Sequence, residues 1–212
     1  MKEERDMAFE ELKAQLKELY LLPSDKFSSV TVPRLPFAML DGAGDPQKGD
    51  YEAKLKWIFA AIQPIRRDGK KRMGKDFIEP PLETLWWADD INDLIEGNRD
   101  KFKWSLMIPM PSWIDQQQFE SALKEASEKL KSSPPEGLRL EWFEEGLAVQ
   151  IMHIGPNEEV RPTLDQLYHE YLPENGLEAH GHYHEIYLGD PRRIAPEKRK
   201  TVIRQPVRAL MR

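Results

Sequence analysis

Apolar residues recur along this chain with two periods, one helical and one alternating, and the switches between them divide it into elements. Between residues 3 and 21, Met7, Leu12, Leu16, Leu19 and Tyr20 lie among Glu and Lys at loose helical spacing, which predicts a surface helix ending before Pro23. Val30 to Leu40 is apolar and β-branched but interrupted by Pro33 and Pro36, predicting an edge strand that runs into the turn at residues 41–46. After Asp50, a good N-cap residue, Leu55, Ile58, Phe59, Ile62 and Ile65 form one apolar helical face up to about Arg67, with Pro64 bending the last turn. The basic run 66–76 reads as a solvated lysine-rich loop, with nucleic-acid contact as the alternative. Leu82 to Ala88 and Phe102 to Met110 then read as two strands joined by the polar loop 89–101.

Asp115 and Gln118 have the spacing of a capping box, and Phe119, Ala122, Leu123, Ala126 and Leu130 follow at helical spacing as far as Ser132-Ser133-Pro134-Pro135. Arg139 to Phe143 and Leu147 to Ile154 predict a hairpin turned near Glu145-Gly146. A helix carrying Leu164, Leu167, Tyr168 and Tyr171 follows, ending at Gly176. Tyr183 to Leu188 and Lys200 to Val207 supply two last strands. The order strand, helix, strand, strand thus occurs over 30–110 and again over 138–207, where an extra strand precedes it.

The fold class expected is therefore α+β, built from two pseudo-symmetric βαββ repeats with a ligand cleft between them. Repeat one covers about 30–112, a connector helix about 115–131 and repeat two about 138–208, all within a domain of residues 30–212 that follows an N-terminal helical extension, 1–29. Asp45-Pro46 and Gly155-Pro156 occupy matching turns, and Leu85-Trp86-Trp87-Ala88-Asp89 can be laid over Ile186-Tyr187-Leu188-Gly189-Asp190.

Charge and cysteine content narrow the function. With 37 acidic and 31 basic residues the 212-residue chain carries a formal charge of -6, which disfavours direct, sequence-independent binding to nucleic acid. The chain has no cysteine, so disulfides, thiolate nucleophiles, iron–sulfur clusters and Cys-based zinc sites are excluded. A charged N-terminus and the lack of a long apolar run point away from a secretory leader or a membrane span and toward a cytoplasmic protein.

Two groups of residues could carry chemistry. Trp86, Trp87, Trp104 and Trp113 fall close together, and Trp142 lies in a predicted strand. Adjacent Trp86 and Trp87 on one strand must point to opposite faces, so one packs under the helix while the other is offered to a ligand. On the strand Tyr183-His184-Glu185-Ile186-Tyr187-Leu188, the same alternation sets Tyr183, Glu185 and Tyr187 on one face and His184, Ile186 and Leu188 on the other, which reads as core. A carboxylate between two phenols suits an anionic floor for organic cations or a general acid/base; the plain alternative is a solvated Glu paired with a neighbouring cation. His180, His182 and His184 do not make a metal site, because a third ligand is missing and His180 and His184 stand about 13 Å apart along a strand. Phosphate-loop, nucleophile-elbow and H-E-x-x-H signatures are also absent, so neither a metal nor a cofactor is expected.

Several collinear segments together are more specific than any one of them: Pro81-Leu82-Glu83-Thr84-Leu85-Trp86-Trp87, Trp104 to Ile108, Gln150 to Pro156, His184 to Arg192 and Lys200 to Arg204. Over about residues 18–208 the chain resembles the stand-alone GyrI-like small-molecule-binding proteins, related to the effector-binding domains of multidrug-responsive transcription regulators. The resemblance implies a cytoplasmic binder of bulky aromatic, often cationic xenobiotics, with Trp86, Trp87, Trp104, Trp142, Tyr183 and Tyr187 as ligand-binding residues and Glu185 at the base of the cleft. Some relatives hydrolyse cyclopropanoid DNA-alkylating toxins, which would make Glu185 catalytic and Tyr187 a donor. A third reading, inhibition of a DNA enzyme such as gyrase, rests on the family name. The chain departs from the family pattern at Asn157, where an aromatic residue commonly follows Gly-Pro. Small molecules are the expected partners, without nucleic acid or membrane.

Overall fold

A computed structural model describes residues 19–24, 26–74, 80–190 and 193–210. The chain forms two compact units, one of residues 34–144 and the other of the residues up to Pro33 together with those from Glu145 onward. Strands in both pair antiparallel, and helices alternate with them, so the class is α+β. Among the described residues no helix is long and apolar enough to cross a membrane.

In the unit of residues 34–144, β2 (Leu35–Ala43) lies between β4 (Lys103–Pro109) and β5 (Arg139–Phe143), and β3 (Leu82–Trp87) pairs with the far side of β4. Met39 stands opposite Met107, and Trp86 opposite Trp104. Alternation along the strands then separates two faces. Phe37, Met39, Leu85 and Met107 are buried together on one, with Leu35, Trp87 and Phe143 packed against them. The other carries Leu40, Trp86, Trp104, Leu106 and Ile108. Helix α1 (Tyr51–Met73) packs on β2 and β4 and buries Trp57, Ile58, Ala61, Ile62 and Ile65. Gly42 is fixed by this packing, since a Cβ there would fall inside the Trp104 ring.

Helix α1 runs through Pro64 to Met73, so the basic run expected as a loop forms its last turns as far as Met73. Arg and Lys are strong helix formers, and Lys70, Lys71 and Arg72 place positive charge on the C-terminal end of the helix dipole. The predicted loop 89–101 holds a short helix, α2 (Ile91–Glu96), capped by the Asp90 side chain and closed at Gly97, and a 3-10 turn (Arg99–Lys101). Helix α3 (Gln116–Leu130) starts with the expected Asp115–Gln118 capping box and packs against α1.

In the other unit β6 (Gly146–Ile154) lies between β1 (Ser28–Val32) and β9 (Lys200–Ala209), β8 (Tyr183–Tyr187) pairs with the far side of β9, and the short β7 (Leu177–Ala179) pairs with the C-terminal end of β9. Helix α4 (Arg161–Gln166) continues through a π-helical stretch (Leu167–Tyr171) into a last turn (Leu172–Glu174). Its Leu167 and Leu172 are buried against Val149 and Val207. In the unit of residues 34–144 β4 thus pairs with both β2 and β3, and in the other unit β9 pairs with both β6 and β8.

Two strand expectations need correction. The single edge strand over 30–40 is two strands split at Pro33; the first pairs with β6 and the second is paired on both sides, with β4 and β5. Residues 139–154 form no hairpin, because β5 pairs with β2 and β6 with β1. A tight turn would have held Glu145 in water, whereas its carboxylate is buried and accepts a 2.9 Å bond from Arg204. Of the predicted N-terminal helix only residues 19–21 are among the described residues, with Leu19 and Tyr20 buried and Leu21 exposed.

Candidate functional site

Strand β8 places Tyr183, Glu185 and Tyr187 on one face, as alternation requires. Glu185 is buried opposite Ile203 of β9, with 7% of its surface exposed. The Tyr183 hydroxyl donates to Oε1 at 2.8 Å, the Tyr187 hydroxyl to Oε2 at 2.7 Å, and the Asn157 amide to Oε2 at 3.3 Å. Asn157 opens the 3-10 turn after Gly155-Pro156, whose carbonyl end is held by His153 Nε2 at 3.0 Å from Pro156 O. The residue that departs from the family pattern therefore touches the carboxylate, a role its sequence position flagged and its chemistry did not reveal.

Burial raises the Tyr183 phenol well above its ordinary range, and the neighbouring Glu185 charge raises it further. The hydroxyl keeps its proton at neutral pH and remains a donor. A carboxylate offers about four lone-pair positions; the three donors leave one on Oε1 for a water or a substrate proton.

The opposite face of β8, expected as plain core, contains Ile186 but also a buried ionic cluster. Glu145 accepts from His184 Nδ1 at 2.9 Å and from Arg204 Nη1 at 2.9 Å, while Arg204 also donates to Gln150 Oε1 at 3.0 Å and to the Leu19 carbonyl at 2.7 Å. Burial alone raises the Glu145 pKa, but the charges of His184 and Arg204 outweigh it and bring it to about 2. All of these bonds join backbone segments of one unit, so the cluster is architectural. The sequence separated its members by up to 185 residues, which hid it.

The tryptophans are placed differently from one another. Trp86 stacks on Tyr51 with ring centroids 6.3 Å apart and planes 14° apart, and Phe102 meets its edge at 5.9 Å. Trp87 points to the other face of β3 and is half-buried beside the Leu85 cluster. Trp104, expected on a ligand wall, is 1% exposed, with Tyr51 edge-on at 4.8 Å, the Lys54 ammonium 5.4 Å from its ring and its Nε1 bonded to Gly44 O at 3.2 Å. It packs its own unit and has no free face. Trp142 on β5 is exposed, and the Arg34 guanidinium lies 5.9 Å over its ring. Glu83 on β3, which the sequence pattern did not single out, is a further buried carboxylate, on the same strand face as Leu85 and Trp87. Among the described residues no group of three or more His, Asp or Glu is placed to hold a metal.

Comparison with solved structures finds a conserved protein from Listeria innocua, 33% identical over 91% of this chain and 98% of that one, with a TM-score of 0.78. A hydrolase from Listeria innocua is 33% identical over 92% of this chain and 98% of that one, with a TM-score of 0.75. The C-terminal domain of EcmrR is 13% identical over 87% of this chain and 98% of that one, at a TM-score of 0.56, and so shares the fold alone. No curated protein matches the sequence significantly. The family model for the GyrI-like small molecule binding domain matches residues 25–208, so the chain belongs to the GyrI-like family.

Proposed function

We propose that the chain hydrolyses bulky aromatic electrophiles of the cyclopropanoid class, with Glu185 as the general base. The observation that carries this reading is the buried Glu185 carboxylate, oriented by Tyr183 and Tyr187 yet retaining an acceptor position on Oε1. In the step proposed, Glu185 takes a proton from a water whose oxygen bonds to the strained ring carbon. The ring C–C bond breaks, and its electron pair passes to the conjugated carbonyl oxygen of the substrate. Tyr187, the more exposed of the two phenols, turns its hydroxyl away from Oε2 to give that oxygen a proton, and the proton held by Glu185 replaces it, so water is added overall. The 33% identity to a hydrolase supports this assignment. A cytoplasmic location fits it, because an alkylating compound must be intercepted before it reaches DNA.

A second reading is retention of lipophilic aromatic cations without turnover. A buried carboxylate between two phenols favours it, since Glu185 would be the counter-charge and the rings would supply cation–π contact of about 0.5–2 kcal/mol each. Trp87, half-buried on its own sheet face, is then the tryptophan we assign to ligand contact. One experiment separates the two readings: the purified protein is incubated with a panel of cationic dyes and a cyclopropanoid electrophile, with tryptophan fluorescence and substrate mass followed together. Gain of one water in the substrate supports the hydrolase. Saturable quenching by cations, weaker for neutral analogues and without change of mass, supports the sponge.

A further inference from the structure

The two oxygens of Glu185 are not equivalent. Oε2 accepts from Tyr187 at 2.7 Å and from Asn157 at 3.3 Å, whereas Oε1 accepts from Tyr183 alone, at 2.8 Å. A carboxylate oxygen has about two lone-pair positions, so Oε2 is filled and the open position falls on Oε1. Asn157 thus decides which oxygen is free to take a proton. Its Nδ2 and not its carbonyl must face Glu185, because an ionised carboxylate only accepts.

The turn that carries Asn157 is tied to the strands on both sides of it. Gly155 N donates to Arg199 O at 3.0 Å, just before β9, and Pro156 O lies 3.0 Å from His153 Nε2 on β6. Gly155 has a φ of 141°, a conformation that favours glycine, and Glu159 N closes the 3-10 turn on Pro156 O at 3.0 Å. On β9, Ile203 stands opposite Glu185, and Thr201 stands opposite both Tyr187 and His153, so the turn and the carboxylate are held to one strand.

While Tyr187 occupies Oε2 at 2.7 Å, the longer bond from Asn157 contributes little. The balance changes during turnover. Once the Tyr187 hydroxyl turns to the substrate oxygen, Asn157 is the remaining donor to Oε2 among the described residues, and a buried acceptor left without one is costly. Hydrogen bonds that are long in a resting site tighten in the reacting complex. A neutral amide also orients the carboxylate without the full positive charge that would make it a poorer base. We infer that Asn157 is the positioning residue of Glu185: it holds Oε2 while Tyr187 serves the substrate and so directs proton uptake to Oε1, a role that rests on the hydrolase reading.

The test introduces Asn157→Leu, which keeps the size of the side chain and removes the donor, into the parent and into Tyr187→Phe, with a spirocyclopropyl cyclohexadienone as the probe, kinetics followed by mass and folding checked by circular dichroism. In the parent, kcat and kcat/KM are expected to fall together by about tenfold with KM unchanged, because the amide matters most after Tyr187 has turned. In Tyr187→Phe the amide holds Oε2 before and during the reaction alike, so Asn157→Leu is expected to change kcat by less than about threefold. Equal losses in the two backgrounds, or a loss that lies in KM, are what a structural side chain would give and overturn the inference. The hold on the carboxylate is read separately in ¹H–¹⁵N spectra. The Asn157 side-chain amide, assigned by its loss in Asn157→Leu, is expected to show one downfield, slowly exchanging proton that moves upfield in Glu185→Gln. An amide signal indifferent to Glu185→Gln overturns the inference whatever the kinetics. A parent that adds no water to the probe while the amide signal behaves as expected overturns the hydrolase reading and the role in turnover, and leaves the hold on Oε2 standing.

Discussion

Replacing Glu185 with Gln keeps the shape of the side chain and removes its charge and basicity. Three donors converge on the carboxylate, from Tyr183 at 2.8 Å, Tyr187 at 2.7 Å and Asn157 at 3.3 Å. Hydrogen bonds to a charged acceptor contribute about 1.5–3 kcal/mol and neutral ones about 0.5–1.5 kcal/mol, so each good bond loses roughly 1 kcal/mol on neutralisation. The bond from Asn157 is long and adds little, which leaves a loss of about 2 kcal/mol from the two tyrosines. Burying an amide costs less than burying a carboxylate, and that difference returns part of the loss. A net destabilisation of about 1 kcal/mol lowers Tm by about 2–4 °C in a chain of this size. Turnover responds on another scale, because an amide does not accept a proton from water and general-base catalysis contributes about 10²–10⁴-fold. The assay pairs a thermal melt with mass-spectrometric single-turnover kinetics on a cyclopropanoid substrate. A Gln variant that melts within a few degrees of the parent and turns over at the same rate refutes the role of Glu185 as base.

Trp86→Ala is expected to cost about 3–5 kcal/mol of stability, because it empties a stacked, buried position, while Trp87→Ala costs less and weakens ligand quenching; equal denaturant midpoints and equal binding would refute the division of faces. Gly42→Ala is expected to destabilise by about 1–3 kcal/mol through overpacking against Trp104, and combining it with Trp104→Leu should recover part of that loss in denaturant titrations; additive losses would show that the two do not collide. Glu145, whose folded pKa is lowered to about 2 from 4.5, contributes stability that is fully present above pH 4.5 and lost as pH falls toward 2. The parent should therefore show a steeper acid limb than Glu145→Gln, by at most about 3 kcal/mol over that window, and parallel limbs would refute the buried cluster.

Local chemistry made some elements readable. Asp115 and Gln118 announced α3 because a capping box needs only four adjacent positions, and the Tyr183–Glu185–Tyr187 face followed from strand alternation alone. Pairing partners were less accessible. Arg139–Phe143 and Gly146–Ile154 are neighbours in sequence, yet each joins a different strand, because Glu145 is held by Arg204 and His184 far along the chain. Helix α2 was hidden by its length, since six residues with only Leu94 and Ile95 buried show no period. Asn157 was visible as a departure from a family pattern, but its bond to Glu185 depends on how the turn after Pro156 folds back toward β8.

The pairing of β1 with β6 sets an order of events during synthesis. Ser28 lies opposite Gln150, so β1 leaves the ribosome more than a hundred residues before its partner exists. Residues 34–144 are contiguous, and within them β2 pairs with β4 and β5, and β4 with β3. While that unit is being synthesised β1 waits as an unpaired edge with Val30 and Val32 uncovered, the kind of segment that seeks any available strand. Closing so long a loop is slow, since pairing of sequence-distant strands must first overcome chain entropy. The nascent chain therefore exposes its aggregation-prone edge at the N-terminal side throughout the synthesis of the first unit, and a chaperone or crowding agent should act on yield through β1 rather than through β8 or β9.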